Sequence, residues 1–414
     1  MLFRSFTGTR LLRSIRLRRS RPRRDAADEG SWARRWAAVI QRRPAIAAIL
    51  SAAVLVLLAA PALGIKLSMP DESAQARGTM GYASYATMAA GFGPGFDAPL
   101  IVAARLPAGG SAAGLTSVAR ALRATPGIAA VTPTVTSPDH QAAMLIAYPT
   151  TGEQNPATNT LVNQISQQVL PRATAGTGIR AYVTGPNAAN VAFANVMGER
   201  LPWVVLAVVL VSMLLLTVMF RSVTIAVKAA VMNLLSITAA YGVLVMICQH
   251  GWLRQLFGFP ETLPVTTWVP VFLFVILFGL SMDYEVFLIS RIREAYDATG
   301  DNASSVASGL ASTARVITAA AAIMVAVFLS FVLGANVSVK QIGLGLAAAV
   351  LIDATLVRLV LVPAVMELLG RANWWLPRPL ARILPGGPDR AIVVSGPPQD
   401  IRDAAERDVA GIEI

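Results

Sequence analysis

The chain has 414 residues, 55% of them hydrophobic and only 14% charged, and it carries a formal net charge of +12. This composition argues against a soluble globular protein and indicates an integral membrane protein. A single cysteine excludes a disulfide framework, and two isolated histidines argue against a histidine metal centre. None of the three lysines ends a Gly-x-x-x-x-Gly-Lys pattern, which excludes a P-loop ATPase on this chain.

The basic charge is concentrated at the N-terminus, where residues 1–43 hold 13 arginines against three acidic residues. Such a segment could bind nucleic acid. A hydrophobic stretch begins directly after Arg43, however, so the positive-inside rule explains the charge more simply and predicts a cytoplasmic N-terminal segment. The stretch at 44–64 is predicted to be the first transmembrane helix. A cleaved signal peptide at 45–64 is the alternative, although the hydrophobic region is long for one.

Six stretches are long and apolar enough to cross a bilayer as helices. The arginines at 220–222 and 291–301 favour the cytoplasm for those two loops, which predicts that both termini are cytoplasmic and that residues 65–201 are exported. A five-helix bundle is expected over 202–366 and a cytoplasmic, disordered tail over 367–414. The predicted spans are 44–64, 202–220, 223–247, 267–290, 312–334 and 338–366.

The exported segment alternates short elements between 98 and 185. Strand patterns at 98–106 and 178–185 enclose a helix at 111–125, two further strands and a helix at 156–170. This β-α-β-β-α-β order is typical of a ferredoxin-like α+β domain. The segment has no Ser/His/Asp set and no nucleophile elbow, so the sequence predicts a binding or conduit role and no enzyme activity.

The fourth span contains the sequence "FGLSMDYEVFLISRIREAY", with three ionisable residues in a row. Asp283 follows the outer end of the span by about 16 residues, or roughly 24 Å, which places it in the inner half of the bilayer. A carboxylate at that depth is expensive and is a candidate proton-binding group, with Tyr284 as a relay partner. Glu285 is expected at the cytoplasmic rim, paired with Arg291 or Arg293.

Further polar residues are predicted at the same depth. Asp353 lies roughly 22 Å into the last span, and Asn233 and Ser236 fall in the inner half of the third span. Their common depth predicts a hydrophilic pocket shared with Asp283. Arg358 could instead neutralise Asp353 in a structural salt bridge.

Three stretches resemble the MMPL transporters, the mycobacterial-type lipid exporters of the resistance–nodulation–division superfamily. They are "FRSVTIAVKAAVMNLLSITAAYG", the aspartate–tyrosine segment, and "IGLGLAAAVLIDATLVRLVLVPAVMELLGRANWWLP". The residues at 70–102 are similar to the start of that family's porter domain. The resemblance implies lipid or amphiphile export driven by the proton gradient, with no cofactor, with Asp283 and Tyr284 as the proton relay and with Leu280 and Phe287 lining the same pocket.

Full-length members of that family have two repeats, and this chain resembles the second. The expectation is therefore a half-size transporter of a bacterial cytoplasmic membrane that works as a homodimer or paired with a first-half protein. Two alternatives stay open: a lipid-binding scaffold or sensor that does not pump, and an inert fragment of a full-length transporter.

Overall fold

The computed structural model describes residues 35–383 apart from 76, 108–112 and 260. The first 34 residues of the basic segment and residues 384–414 of the predicted tail lie outside the described residues. The expectation of disorder is wrong for the start of that tail, because residues 367–374 and 378–383 are helical. Within the described part, six helices are long and apolar enough to cross a membrane, as predicted. The shortest has 21 residues and a length of about 30 Å, which matches the hydrocarbon core of a bilayer. The chain is thus a multi-pass membrane protein. The candidate spans are Pro44–Gly64, Pro186–Phe220, Val223–Cys248, Val269–Thr299, Asn302–Leu333 and Val337–Trp374.

The first span is preceded by a short helix. Residues 35–42 form this helix, α1, and Pro44–Ala59 form α2, which continues to Gly64 as a 3-10 turn. Pro44 lies in the first turn of α2, where its missing N–H has no intrahelical partner to lose. Only Ala48, Ser51 and Leu55 of α2 are buried. Their spacing defines one narrow packing stripe, and most of the helix surface is exposed.

A small α/β unit lies between the first and second spans. Its elements follow the predicted β-α-β-β-α-β order except that the second predicted strand is divided into two short strands. One sheet has the order β3-β5-β2-β6 with antiparallel neighbours, and β4 also pairs with β5. The strands are β1 Leu67–Ser68, β2 Leu100–Arg105, β3 Ile128–Val131, β4 Val135–Thr136, β5 Ala142–Pro149 and β6 Arg180–Thr184, and the helices are α3 Met80–Phe92, α4 Ala113–Arg123, α5 Pro156–Gln164 and α6 Leu170–Ala173.

Alternating side chains build the core of this unit. In β2, Leu100 and Val102 are fully buried while Ile101 between them is partly exposed. Because side chains in a strand point alternately to opposite faces, this pattern turns one face of the sheet toward the helices. Leu115 and Leu122 of α4 are also fully buried and belong to the same hydrophobic cluster.

A two-stranded parallel sheet joins this unit to the membrane bundle. β1 follows the first span and pairs with β7, Val265–Thr266, which immediately precedes the fourth span. Val265 N donates to Lys66 O at 3.0 Å, and Thr267 N donates to Ser68 O at 3.1 Å. Two segments that are about 200 residues apart in sequence are therefore fixed to each other beside the membrane.

The remaining helices form the bundle. They are α7 Pro186–Phe220, α8 Val223–Cys248, α9 Val269–Thr299, α10 Asn302–Ser330, α11 Val337–Ile352, α12 Val362–Leu369 and α13 Arg378–Ile383. The spans of α8 and α11 are the most buried, while those of α2, α7 and α10 are mostly exposed. Close packing depends on small residues: a Cβ on Gly242 of α8 would lie 1.7 Å from the Leu58 carbonyl oxygen.

The last span is not a regular α-helix. Between α11 and α12, Asp353–Leu361 forms a π-helical segment. Pro363 follows it and has no N–H, so it cannot donate to the Leu359 carbonyl four residues earlier. The Trp36 indole N–H of α1 donates to that carbonyl at 2.9 Å. This bond from Trp36 holds α1 against the end of the bundle.

Candidate functional site

A buried polar network lies at the centre of the bundle, where α8, α9 and the π-helical segment meet. The Ser281 hydroxyl lies 2.8 Å from Asn233 Oδ1 and 3.0 Å from Asp353 Oδ2, so its single proton can be donated to either oxygen. Ser281 and Asn233 are both almost completely buried. Asn233 and Asp353, which the sequence places at a common depth, are thus joined through Ser281.

The predicted ion pair between Asp353 and Arg358 is also confirmed. Arg358 Nη2 lies 2.7 Å from Asp353 Oδ2, and Arg358 Nε donates to the same oxygen at 2.9 Å. In a regular α-helix, residues five apart point about 140° away from each other. The wider π-helical turn, with its i→i+5 bonding, brings positions 353 and 358 onto one face. Arg358 Nη2 also donates to the Ser281 carbonyl oxygen at 2.5 Å.

This network borders a small cavity. Its polar lining includes Ser236 and Tyr284, and its apolar lining includes Leu280 and Met324. The Arg358 guanidinium lies 4.9 Å from the centre of the Tyr284 ring. A volume of about 20 Å³ suits a water-sized species and is far too small for a lipid. Ser236 and Leu280 thus line a pocket as predicted, and Tyr284, predicted as the relay partner of Asp283, lines the same cavity.

A second ionisable pair lies beside this network, and here the sequence prediction is wrong. Glu285 was expected at the cytoplasmic rim, but its residue surface is only 5% exposed. Asn233 Nδ2 donates to Glu285 Oε2 at 3.3 Å, and Lys228 of α8, itself only 7% exposed, is a buried opposite charge that acts on this carboxylate electrostatically. Within the described residues, Lys228 Nζ and Glu285 Oε1 are buried without a hydrogen-bond partner. Burying charged atoms in this way is costly, so the pair is a candidate functional element.

Asp283 does not lie in the cavity. It is exposed on the opposite side of α9, and Phe287, one turn further along, is 37% exposed on the same side. The prediction that these two residues share the pocket of Asp353 is wrong. The reason is the helical angle, because Ser281 and Glu285 occupy the buried face while positions 283 and 287 point away from it. Exposed apolar side chains of Phe272, Val275 and Ile276 continue this outer face toward the other end of α9.

Sequence reasoning missed Lys228 and Ser281. Lys228 lies five residues after the start of α8, about 7.5 Å into the span. A lysine within a transmembrane segment is itself a signal for a charged partner, and an opposite charge on a neighbouring helix could have been sought on that ground. Ser281 carries no such signal, since serine is common where membrane helices pack closely.

A third group of ionisable residues lies in the α/β unit. Asn190 Nδ2 donates to Glu153 Oε1 at 2.5 Å, and Gln154 Nε2 donates to Asp71 Oδ1 at 2.7 Å. Burial and the neighbouring carboxylates raise the pKa of Glu153, although the Asn190 bond opposes the shift. Burial likewise raises the pKa of Asp97. Among the residues that the structure describes, no group of three or more His, Cys, Asp or Glu side chains is arranged to hold a metal ion.

Comparison with known proteins gives a consistent result. A model of the MMPL family matches residues 102–386, which is more than half of the chain. The chain is 38% identical over 374 residues to the mycolic acid-containing lipids exporter MmpL11 of Mycolicibacterium smegmatis. This match covers 88% of the chain and 38% of the relative.

Two other relatives carry different names. The chain is 38% identical over 372 residues to the heme uptake protein MmpL11 of Mycobacterium tuberculosis, which covers 88% of the chain and 38% of the relative. It is 37% identical over 201 residues to the trehalose monomycolate exporter MmpL3 of the same organism, covering 49% of the chain and 21% of the relative. The chain thus spans about two fifths or less of the length of these relatives.

Proposed function

This chain belongs to the MMPL family of membrane transport proteins, and we propose that it is a half-size transporter that exports lipids or other amphiphilic molecules across the cytoplasmic membrane, driven by the proton-motive force. A second copy or a partner half completes it. The proposed orientation places both termini in the cytoplasm, with the α/β unit between the first two spans outside. That unit serves as a ferredoxin-like porter domain, which receives the substrate from the outer leaflet.

The observation that carries this proposal is the exposed position of Asp283. An ionisable side chain cannot stably face lipid at this depth, so a protein surface is needed opposite it. The outer face of α9 offers the apolar side chains of Phe272, Val275, Ile276 and Phe287 on both sides of the carboxylate. The proposed partner half covers this face and encloses Asp283 between the two halves.

Proton coupling is assigned to two neighbouring sites on α9. Asp283 binds the proton at the face between the halves. Tyr284 follows it on α9 and contacts the Arg358 guanidinium, so it connects Asp283 with the buried network. On the inner side of α9, Glu285 forms a second proton-responsive site together with Lys228 of α8. Protonation of Glu285 changes the charge balance across the α8–α9 contact, and protonation of Asp283 changes it across the face between the halves. Both changes give the proton gradient a means of shifting α9.

The names of the relatives support an amphiphilic substrate. Two of them are named for the export of mycolic acid-containing lipids and of trehalose monomycolate. The cavity near Asp353 holds no more than a water-sized species, so the substrate path is assigned to the porter domain and the proton path to the bundle. Heme is a second candidate substrate, because another relative is named for heme uptake.

The proposal is tested in proteoliposomes that contain the purified full chain and trehalose monomycolate as the probe. Transfer of the probe between leaflets is measured with and without an imposed pH gradient. We expect transfer to require the gradient and to fall to the level of protein-free vesicles in the Asp283→Asn variant. The control is Asp297→Asn, which removes an exposed carboxylate on the same helix that pairs with Arg293 at 2.9 Å.

Two outcomes would overturn the proposal. Gradient-dependent transfer that survives in Asp283→Asn would remove the proton relay from this residue. Probe binding that is indifferent to the gradient would identify a lipid-binding scaffold. The pairing of halves is checked separately by measuring the mass of the purified particle, which should equal two copies of the chain when no other protein is present.

A further inference from the structure

A groove opens on the surface of the first span, away from the polar network and from the outer face of α9. Its volume is about 550 Å³. One wall is α1 and the first three turns of α2, and the other is the π-helical segment of the last span. The apolar lining includes Trp36, Ile46, Leu50, Val54, Leu356 and Val360.

Hydrogen bonds hold the groove open. The Trp36 indole donates to the Leu359 carbonyl at 2.9 Å, to which Pro363 four residues later cannot donate. Gln41 Nε2 donates to the Ala303 carbonyl at 2.9 Å, so the far end of α1 is attached to the start of α10. A groove that is already formed binds a ligand without the cost of ordering its walls.

The mouth of the groove is positively charged. Arg42 and Arg43 line it, and both are exposed. Among the described residues, neither arginine forms an ion pair with an acidic side chain. Arginine binds phosphate oxygens bidentately, and two adjacent guanidiniums at a membrane surface favour an anionic headgroup.

The length of the groove matches one leaflet. Eleven residues separate Arg43 from Val54, which corresponds to about 16 Å along α2. Half of a hydrocarbon core of about 30 Å is about 15 Å. A lipid with its phosphate at the arginines would therefore place an acyl chain beside Ile46, Leu50 and Val54, with its end near the bilayer midplane.

We propose that this groove is a binding site for an anionic glycerophospholipid of the leaflet in which α1 lies, with its phosphate on Arg42 and Arg43 and one acyl chain along α2. Under the orientation proposed above, that leaflet is the cytoplasmic one. The site does not depend on transport activity. A bound lipid contacts α1, α2 and the last span at once. The anionic lipid content of the membrane therefore acts on the end of the bundle that carries Arg358.

The test uses native mass spectrometry of the purified full chain in detergent, titrated with phosphatidylglycerol or with phosphatidylcholine of the same acyl chains. We expect one tightly retained phosphatidylglycerol. In the double variant Arg42→Gln/Arg43→Gln, its affinity should fall about 30-fold, as expected for two basic residues at an anionic surface, while phosphatidylcholine binding stays unchanged. Arg371→Gln/Arg378→Gln is the matched control, since it removes two exposed arginines that do not line the groove.

Two further variants separate the parts of the site. Arg42→Lys/Arg43→Lys keeps the charge and should retain most of the affinity, and it reports on whether the substituted chain folds. Leu50→Trp fills the groove and should weaken the retention of phosphatidylglycerol although both arginines are present. The proposal is wrong if phosphatidylcholine is retained equally well, if the control loses as much affinity as the glutamine variant, if no lipid is retained, or if the substitutions change the oligomeric state instead of lipid retention.

Discussion

Replacing Arg358 by methionine should strongly destabilise the bundle. The arginine side chain is 4% exposed and its partner Asp353 is 13% exposed, so both charges lie out of contact with bulk water. The substitution leaves the carboxylate with the Ser281 hydroxyl as its remaining hydrogen-bond donor among the described residues. Breaking a buried pair by removing one partner costs about 3–5 kcal/mol. The Ser281 carbonyl also loses the donor at 2.5 Å, which adds to the loss.

The measurement is reversible unfolding in mixed micelles with increasing dodecyl sulfate, followed by the circular dichroism of the helices. Arg293→Met is the control, because it breaks an exposed pair with Asp297 and should cost only about 0–1 kcal/mol. The double variant Asp353→Leu/Arg358→Met removes both charges and should recover most of the stability lost in the single variant. If Arg358→Met costs no more than Arg293→Met, the pair does not stabilise the bundle and the reasoning fails.

Two smaller perturbations test other contacts. Gly242→Ala should lower the free energy of unfolding by about 1–3 kcal/mol, because the added methyl group would meet the Leu58 carbonyl oxygen. Gly279→Ala is the control and should be neutral, since no neighbour lies within 4 Å of its added methyl group. Equal losses of stability in the same unfolding assay would contradict the packing argument. Burial raises the pKa of Glu153 above its ordinary value of 4.5, so the native carboxyl contributes stability below that pH and loses it as the pH rises through the folded-state pKa. Glu153→Gln should therefore raise the Tm at neutral pH and match the parent chain in acid. Asp139→Asn should lower the Tm at neutral pH, because the Ser137 hydroxyl donates to that carboxylate and lowers its pKa. A Tm shift of the same sign in Glu153→Gln and Asp139→Asn would refute these opposite pKa directions.

The relative level of two residues along the bundle could be predicted from the sequence, whereas the direction of a side chain could not. A fixed rise of 1.5 Å per residue placed Asn233 and Asp353 at one level, and the structure joins them through Ser281. The face of α9 was not readable, because side chains toward lipid and side chains toward the protein are both apolar. Asp283 and Glu285 were consequently assigned to the wrong environments.

The partners of the buried charges depended on details that no residue pattern specifies. The pairing of Asp353 with Arg358 was foreseen as one option, but the π-helical turn that makes it geometrically sound was not. The partner of Glu285 was missed because Lys228 lies on another helix, 57 positions earlier in the sequence. Six apolar stretches and the order of strands in the α/β unit were predicted more reliably, since each depends on local composition and periodicity.

The short β1–β7 ladder has a mechanical consequence. It joins the start of α9 to β1, the strand that leads into the α/β unit. Only a few residues separate β7 from α9. Hydrogen bonds between extended strands resist sliding much better than a flexible linker does. A tilt or axial displacement of α9 therefore moves β1 and the start of the α/β unit with it. A movement of this carboxylate-bearing helix inside the membrane is thus transmitted to the unit that lies outside the membrane.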